Sequence, residues 1–257
     1  MRTLVTIDFD FFVKEDPAWD FGHQESLLFL NMIWESRVGL ANELKTDGNE
    51  RGFWKWLHKH SGVEYAPMCV SDSHAYACNI HQSINRVIII DAHHDCWQGD
   101  SLGVDKRDRN IYCHNWLREW LLQKKGRSAL WVKPVWPKDG LILPDDMKSR
   151  VKEVTWSKSL DLGLQGSTIV HVCRSGCWVP PWLDKAFLAF LRASGRPPER
   201  LICLQDGDWN PLNERWTEQE FQQILEREAK VQSRMKTLVA GQIRASDFLN
   251  CKVEVKK

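Results

Sequence analysis

The sequence predicts a single three-layer α/β/α domain with a mainly parallel central sheet. Short apolar segments that are typical of strands alternate with longer segments of helical periodicity along the chain. Residues 86–91 include four consecutive β-branched residues, which suit a parallel strand covered by helices on both faces. The chain has 257 residues, 43% of them hydrophobic, and can therefore bury one large core. We assign residues 1–250 to this domain and residues 251–257 to a basic C-terminal tail.

In the first part of the chain, apolar periodicity and turn residues define the elements. Strands are predicted at residues 4–9, 66–70 and 86–91. Helices are predicted at residues 25–44, 53–60 and 73–83. Gly48 and Gly62 end the first two of these helices, and Ser73 is a suitable N-cap for the third.

The rest of the chain continues the alternation of strands and helices. Further strands are predicted at residues 129–132, 151–156, 168–173 and 201–204. Helices are predicted at residues 115–125 and 217–238, the latter with Phe221, Ile224 and Leu225 on its apolar side. Because the carboxyl ends of parallel strands meet at one edge of a sheet, polar residues that follow these strands are the first candidates for a site.

Composition excludes several classes of protein. Lys and Arg number 35 against 34 Asp and Glu, so no net positive field attracts nucleic acid or anionic membranes. The apolar runs are too short to span a bilayer, and the first residues resemble a strand rather than a signal peptide. We therefore expect a cytoplasmic protein without a nucleic-acid or membrane partner. The 14 tryptophans favour a protein that holds an extended ligand.

The segment Asp91-Ala92-His93-His94-Asp95 is the strongest candidate site. It follows the predicted strand 86–91, and alternation of side chains places Asp91, His93 and Asp95 on one side of the chain. The alternative is a surface loop with ordinary charges. A polar cluster directly after four aliphatic residues favours a metal or ligand site instead.

Asp8 and Asp10 form a second candidate pair, on one side of the predicted strand 4–9 and its extension. Buried carboxylates need a counter-charge, either divalent cations or an internal Arg or Lys. His74, at the start of a helix, adds one imidazole, although a histidine there is often an ordinary, partly buried residue. Carboxylates together with imidazoles suit a pair of Mn²⁺ ions better than a thiolate-rich zinc site.

Asp206 and Asp208 are an alternative to the pair Asp8 and Asp10. They also follow an apolar strand, and they lie after the Asp91–Asp95 segment in the chain. We prefer Asp8 and Asp10, because their flanking residues fit the motif described next.

These motifs resemble those of the arginase family. Asp91-Ala92-His93-His94-Asp95 resembles the family's DAHxD motif, VSDSHA at residues 70–75 resembles its histidine segment, and TIDFDFFVKEDP at residues 6–17 resembles its SxDxDxxDP motif. The last motif precedes the others here, which indicates a divergent or circularly permuted branch. IDFDFF, together with RSGCWVPPW at residues 174–182, is most similar to the peptide arginases.

The resemblance implies an arginase/deacetylase-like fold and hydrolysis of a linear amidine, the guanidinium group of peptidyl arginine, to ornithine and urea. The substrate it implies is a ribosomally made precursor peptide that contains arginine. It also implies two Mn²⁺ ions, bridged by Asp91 and Asp8. The implied ligands are Asp8 and Asp10, His74, Asp91, His93 and Asp95. The resemblance further implies that Asp95 accepts a proton from the attacking water. His114 is the candidate that protonates the departing amine.

Substrate recognition is expected to use acids, because a carboxylate is the natural partner of a planar guanidinium. The predicted substrate-binding residues are Glu25, Asp206, Asp208, Arg174 and Ser175, the last two from the segment at 174–182. Two other functions remain open. One is a different hydrolase on the same fold, an amidohydrolase, deacetylase or free-guanidine ureohydrolase. The other is a non-catalytic, Trp-rich peptide-binding module.

Overall fold

A seven-stranded parallel sheet forms the centre of the protein, in the order β5-β4-β3-β1-β6-β2-β7. The computed structural model describes residues 2–14, 27–60, 62–97, 111–136, 141–164, 166–202 and 212–248. The strands are β1 (Arg2–Asp8), β2 (Met68–Ser71), β3 (Arg86–Ile90), β4 (Ser128–Lys133), β5 (Val151–Thr155), β6 (Ser167–Cys173) and β7 (Arg200–Ile202). The predicted strands are thereby confirmed, apart from residues 203 and 204, which lie outside the described residues.

Helices flank the sheet and give the predicted three-layer α/β/α arrangement. The α-helices are α1 (Leu27–Glu35), α2 (Glu50–Leu57), α3 (Trp116–Gln123), α4 (Asp184–Ala193) and α5 (Glu218–Phe248). Short 3-10 helices span Phe9–Phe12, Val38–Asn42, His74–Asn79 and Pro181–Leu183. Among the described residues, no helix combines the length and apolar content that crossing a bilayer requires.

Two hydrophobic cores lie on opposite faces of the sheet, because side chains alternate along each strand. On one face, Ile7, Ile88 and Ile90 pack in a core that includes Phe53 of α2 and Phe190 of α4. These two rings are 5.9 Å apart, centroid to centroid. Burial of such aromatic surface fixes α2 and α4 against the sheet.

The other face is covered mainly by α3. Leu4, Val87 and Ile89 of the sheet pack in a core that includes Trp116 and Trp120 of this helix. The 3-10 helix His74–Asn79 contributes Ala77 and Cys78 to the same core. This face therefore brings α3 and the segment after β2 together above the central strands.

Some predicted helices differ from the structure. The predicted helix 25–44 ends at Glu35, where the Ser36 hydroxyl donates to the Ile33 carbonyl at 2.7 Å and competes with the helical pattern. The predicted helix 73–83 is instead a 3-10 helix, His74–Asn79. No prediction covered α4, and α5 extends beyond residue 238.

Candidate metal centre

The candidate metal centre lies at the carboxyl edge of the central strands. Asp8 is the last residue of β1, and Asp91 follows β3 directly. β1 and β3 are neighbours, with Ile7 opposite Ile90, so the two carboxylates leave the sheet side by side. His74 follows β2 and begins a 3-10 helix capped by the Ser73 side chain.

The His74 ring lies among three carboxylates. Its Nδ1 atom is 2.9 Å from Oδ2 of Asp91, 2.9 Å from Oδ2 of Asp95 and 3.3 Å from Oδ2 of Asp8. All four side chains are buried. Neither Nδ1 of His74 nor Oδ2 of Asp91 makes a hydrogen bond with a described residue. Buried polar atoms without hydrogen bonds are rare and point to a missing partner.

A second group shares Asp91 with the first. Nδ1 of His93 lies 2.9 Å from Oδ2 of Asp10 and 3.6 Å from Oδ1 of Asp91. The backbone N–H of His93 donates to the same Asp91 oxygen at 2.7 Å. Two groups of three residues result. Asp8, His74 and Asp91 form one group, and Asp10, Asp91 and His93 form the other. In each group, one ligand atom from every residue lies within 4.8 Å of those of the other two residues. These buried groups can hold a metal ion.

Asp10 reaches the centre by a turn and not by the strand. The prediction that Asp8 and Asp10 lie on one side of a strand is wrong for Asp10, because β1 ends at Asp8 and a 3-10 helix follows. The Asp8 carboxylate accepts the N–H of Asp10 at 3.2 Å and caps this helix. The turn buries the flanking Phe9 and Phe11 in the core and directs Asp10 to His93.

The Asp91–Asp95 segment bends away from β3. Asp95 adopts a left-handed backbone conformation, with φ at 47°. Its carboxylate accepts the indole N–H of Trp116 at 2.5 Å, and its carbonyl accepts the N–H of Leu117. His94 points into the protein interior beside Trp131. The bend therefore sends Asp91, His93 and Asp95 to the centre and His94 away from it.

Burial and mutual repulsion disfavour the ionised acids. Burial and the charges of Asp8 and Asp91 raise the pKa of Asp10 well above its ordinary value. Burial and the charge of Asp91 raise the pKa of Asp95 to about 7. Such shifts arise where several carboxylates share one buried site.

For His74 and Asp91, by contrast, charged neighbours outweigh burial and favour the ionised form. Burial alone would lower the pKa of His74, but the three carboxylates around its ring outweigh burial and raise that pKa well above its ordinary value. Burial likewise opposes ionisation of Asp91, yet His74 and His93 outweigh it and lower the Asp91 pKa. A divalent cation among these groups would replace the protons that otherwise offset their charge.

A narrow pocket opens above the centre. Its lining comprises Asp8, Asp10, His93, Asp95, Trp97, Cys113, His114, Ser175 and Trp178. The Trp178 ring covers His93, with the ring centroids 4.4 Å apart. Trp97 is 44% exposed, and its backbone N–H donates to the His114 carbonyl at 3.1 Å. The pocket thus has acids and imidazoles at its base and indoles in its walls.

The predicted substrate-binding residues have different locations. Ser175 lines the pocket in a left-handed conformation, with φ at 57°. Arg174 is fully buried and forms an ion pair with Asp184, which also accepts the Arg215 Nη2 donor at 2.8 Å. The structure thus places Arg174 under the loop that carries Ser175. Glu25, Asp206 and Asp208 lie outside the described residues.

The pKa of Arg174 is also shifted. Desolvation by burial and the charge of the neighbouring Arg215 lower it to about 10. Asp184 offsets part of this cost. The Nη2 group of Arg215 also donates to the Val179 carbonyl at 2.6 Å. This buried network fixes the segment that carries Ser175 and Trp178 above the centre.

Several residues of the site were not predicted from the sequence. Trp97 and Trp178 line the pocket, and Trp116 donates to Asp95. Thr6 and His171 lie beneath His74 inside the sheet. A polar ring between Val170 and Val172, in an otherwise apolar strand, is the signal that could have identified His171.

Comparisons with models of protein families, with curated proteins and with solved structures found no match to this chain.

Proposed function

We propose that the protein is a hydrolase with two Mn²⁺ ions that converts arginine side chains of a ribosomally made precursor peptide into ornithine and urea. The observation that supports this most directly is the sharing of Asp91 between two buried ligand groups. A carboxylate held in common is what a pair of adjacent metal ions requires. The motif resemblance to peptide arginases supplies the substrate and the reaction.

The donor atoms suit Mn²⁺. The groups around Asp91 offer carboxylate oxygens and imidazole nitrogens, and no cysteine belongs to either group. Oxygen with some nitrogen favours Mn²⁺ over the metals that thiolates select. His74 and Asp95 would hold one ion, His93 and Asp10 the other, and Asp8 and Asp91 both. When bound, such a pair supplies Lewis acidity and lowers the pKa of a water molecule.

Asp95 is suited to receive the proton of the attacking water. Its carboxylate lines the pocket beside the two ligand groups, where the attacking water would lie. The Trp116 indole N–H holds one of its oxygens. This hydrogen bond orients the carboxylate at the base of the pocket.

His114 is suited to return a proton to the departing amine. It lines the same pocket as the acids, and its ring lies parallel to that of Tyr112, with centroids 5.5 Å apart. An imidazole is the side chain that most readily both gains and loses a proton near neutral pH. We therefore assign His114 the role of general acid.

The aromatic walls suit a planar cation on an apolar stem. Trp97 and Trp178 line the pocket beside carboxylates. Indole faces attract guanidinium groups, and they also cover the methylene chain of an arginine. Because Trp97 is 44% exposed, a residue within a peptide can reach the wall from solvent. Both features support peptidyl arginine as the substrate.

The test is mass spectrometry of arginine-containing peptides after incubation with the protein and Mn²⁺. Conversion of arginine to ornithine lowers the mass by about 42 Da. We expect this loss on peptides and not on free arginine, and we expect Asp95→Asn and His114→Asn to abolish it. Asp145→Asn, which changes an exposed acid outside the pocket, is the matched control.

The same experiment separates the alternatives. Turnover of free arginine or agmatine in preference to peptides would identify a free-guanidine hydrolase. Acetate release from acetylated amines would identify a deacetylase. A protein that binds peptides without Mn²⁺ and without turnover would be a binding module.

A further inference from the structure

A row of buried hydrogen bonds leads from His74 into the sheet. Nε2 of His74 lies 2.7 Å from the Thr6 hydroxyl, which lies 2.8 Å from Nδ1 of His171. Nε2 of His171 lies 2.8 Å from the Ser71 hydroxyl. The exposed fraction of these four residues is at most 1%. The row is closed to water. Among its residues, only His74 has a role in the proposed reaction.

The sheet register holds this row in place. Thr6 on β1 and His171 on β6 are direct cross-strand neighbours. His171 is also opposite Cys69 on β2, two residues before Ser71, so Ser71 lies on the same face one step along. Three adjacent strands, β1, β6 and β2, therefore each contribute a polar side chain to the row.

The direction of the hydrogen bonds follows from the Ser71 hydroxyl. This hydroxyl donates its only hydrogen to the Ser73 carbonyl at 2.7 Å. It can then only accept from His171, so Nε2 of His171 bears the ring hydrogen. His171 is fully buried, and its two ring nitrogens contact the hydroxyls of Ser71 and Thr6 and no acid, so the ring is neutral and its Nδ1 is an acceptor.

The same reasoning continues to His74. Thr6 also has a single hydrogen, and donating it to Nδ1 of His171 leaves the Thr6 oxygen as the acceptor for His74. Nε2 of His74 must then bear a hydrogen. In a neutral ring this leaves Nδ1 bare, on the side that faces Asp8, Asp91 and Asp95.

We propose that Thr6 and His171 are positioning residues that fix the tautomer of His74, so that its Nδ1 faces the metal centre as a ligand. This inference rests on the metal site of the proposed function, and it is independent of the substrate. Partners of this kind orient metal-binding histidines and typically change metal affinity about 10- to 100-fold. The row changes no charge; it selects which nitrogen bears the hydrogen.

The first test measures Mn²⁺ affinity by titration calorimetry. Thr6→Val removes the hydroxyl and keeps the shape of the side chain, and we expect it to weaken Mn²⁺ binding about 10- to 100-fold. Thr6→Ser keeps the hydroxyl and should bind like the wild type. Thr3→Val is the matched control, since Thr3 is equally buried on β1 and its hydroxyl makes no hydrogen bond with a described residue.

The second test needs no variant. Nitrogen-15 NMR of the histidines in the metal-free wild type should show His171 as a neutral ring with its hydrogen on Nε2. A hydrogen on Nδ1 instead would reverse the row and overturn the proposal, whatever the variants do.

The outcomes also separate this inference from the proposed function. Equal Mn²⁺ affinities for Thr6→Val and Thr3→Val would overturn the positioning role and leave the hydrolase proposal standing. Failure of the wild type to bind Mn²⁺ would overturn both. If Thr6→Val fails to fold, Thr6→Ser and the NMR measurement still decide the question.

Discussion

Nδ1 of His74 lies 2.9 Å from Oδ2 of Asp91, and both atoms are buried without a hydrogen bond to any described residue. A proton between them, or a metal ion that would take its place, offsets the charges of the surrounding acids. The pair therefore links the stability of the protein to the occupancy of its centre.

Substitution of the shared acid should have a larger effect than substitution of an unshared acid. Asp91→Asn weakens both ligand groups, so we expect it to abolish Mn²⁺ binding. Asp10→Asn leaves the group Asp8, His74, Asp91 complete and should retain about half of the bound metal. Metal analysis of the purified variants measures both, with Asp145→Asn as the exposed control. Equal losses in the two variants would argue against a shared ligand.

Mn²⁺ affinity should rise with pH. The pKa of Asp95 is raised to about 7, and those of Asp10 and His74 are also raised, so protons must leave before the metal binds. Deprotonation becomes less costly as pH increases, and the dissociation constant should fall between about pH 6 and about pH 8. Calorimetry in buffers of different ionisation enthalpy measures the protons released. Binding without proton release would contradict the shifted carboxylates.

Loss of the Trp178 ring should impair substrate binding. Trp178 lies over His93 and lines the pocket, so Trp178→Ala removes one wall for a guanidinium. We expect the KM for an arginine peptide to rise about tenfold, the equivalent of one cation–π contact. Trp178→Phe keeps a ring and should lose less. Tyr65→Ala, an exposed aromatic outside the pocket lining, should change nothing. If kcat falls while KM stays unchanged, Trp178 instead acts on the chemical step through its contact with His93.

Removal of the buried Asp184 should destabilise the whole fold. Asp184→Ala leaves Arg174 and Arg215 buried without their carboxylate, at a cost of about 3–5 kcal/mol. Chemical denaturation measures this as a lower midpoint. Glu218→Ala breaks an exposed ion pair with Lys185 and should leave the midpoint unchanged. An unchanged midpoint in Asp184→Ala would mean that the arginines find other partners.

Local patterns sufficed to predict the strands and most of the metal centre. Most strands are short apolar segments bounded by turns, and the acids Asp8 and Asp91 stand at strand ends, where parallel sheets gather ligands. The prediction of the Asp10 backbone was wrong, because a 3-10 turn and a strand differ little in sequence over four residues.

Non-local pairing could not be derived in the same way. The sheet order places β6 between β1 and β2, and only this order brings His171 beneath Thr6 and Ser71. A single polar residue in an apolar strand indicates a buried partner without identifying it. Trp178 depends likewise on the buried network around Asp184, which joins residues far apart in the chain.

The position of β1 at the middle of the sheet also has a consequence for synthesis. Thr6 pairs with His171, which the ribosome adds 165 residues later. Until then one edge of β1 has no strand beside it, and such late pairing slows folding and exposes apolar surface to aggregation. The candidate metal ligands, which all precede β6 in the chain, can reach their final geometry only after that strand has been added.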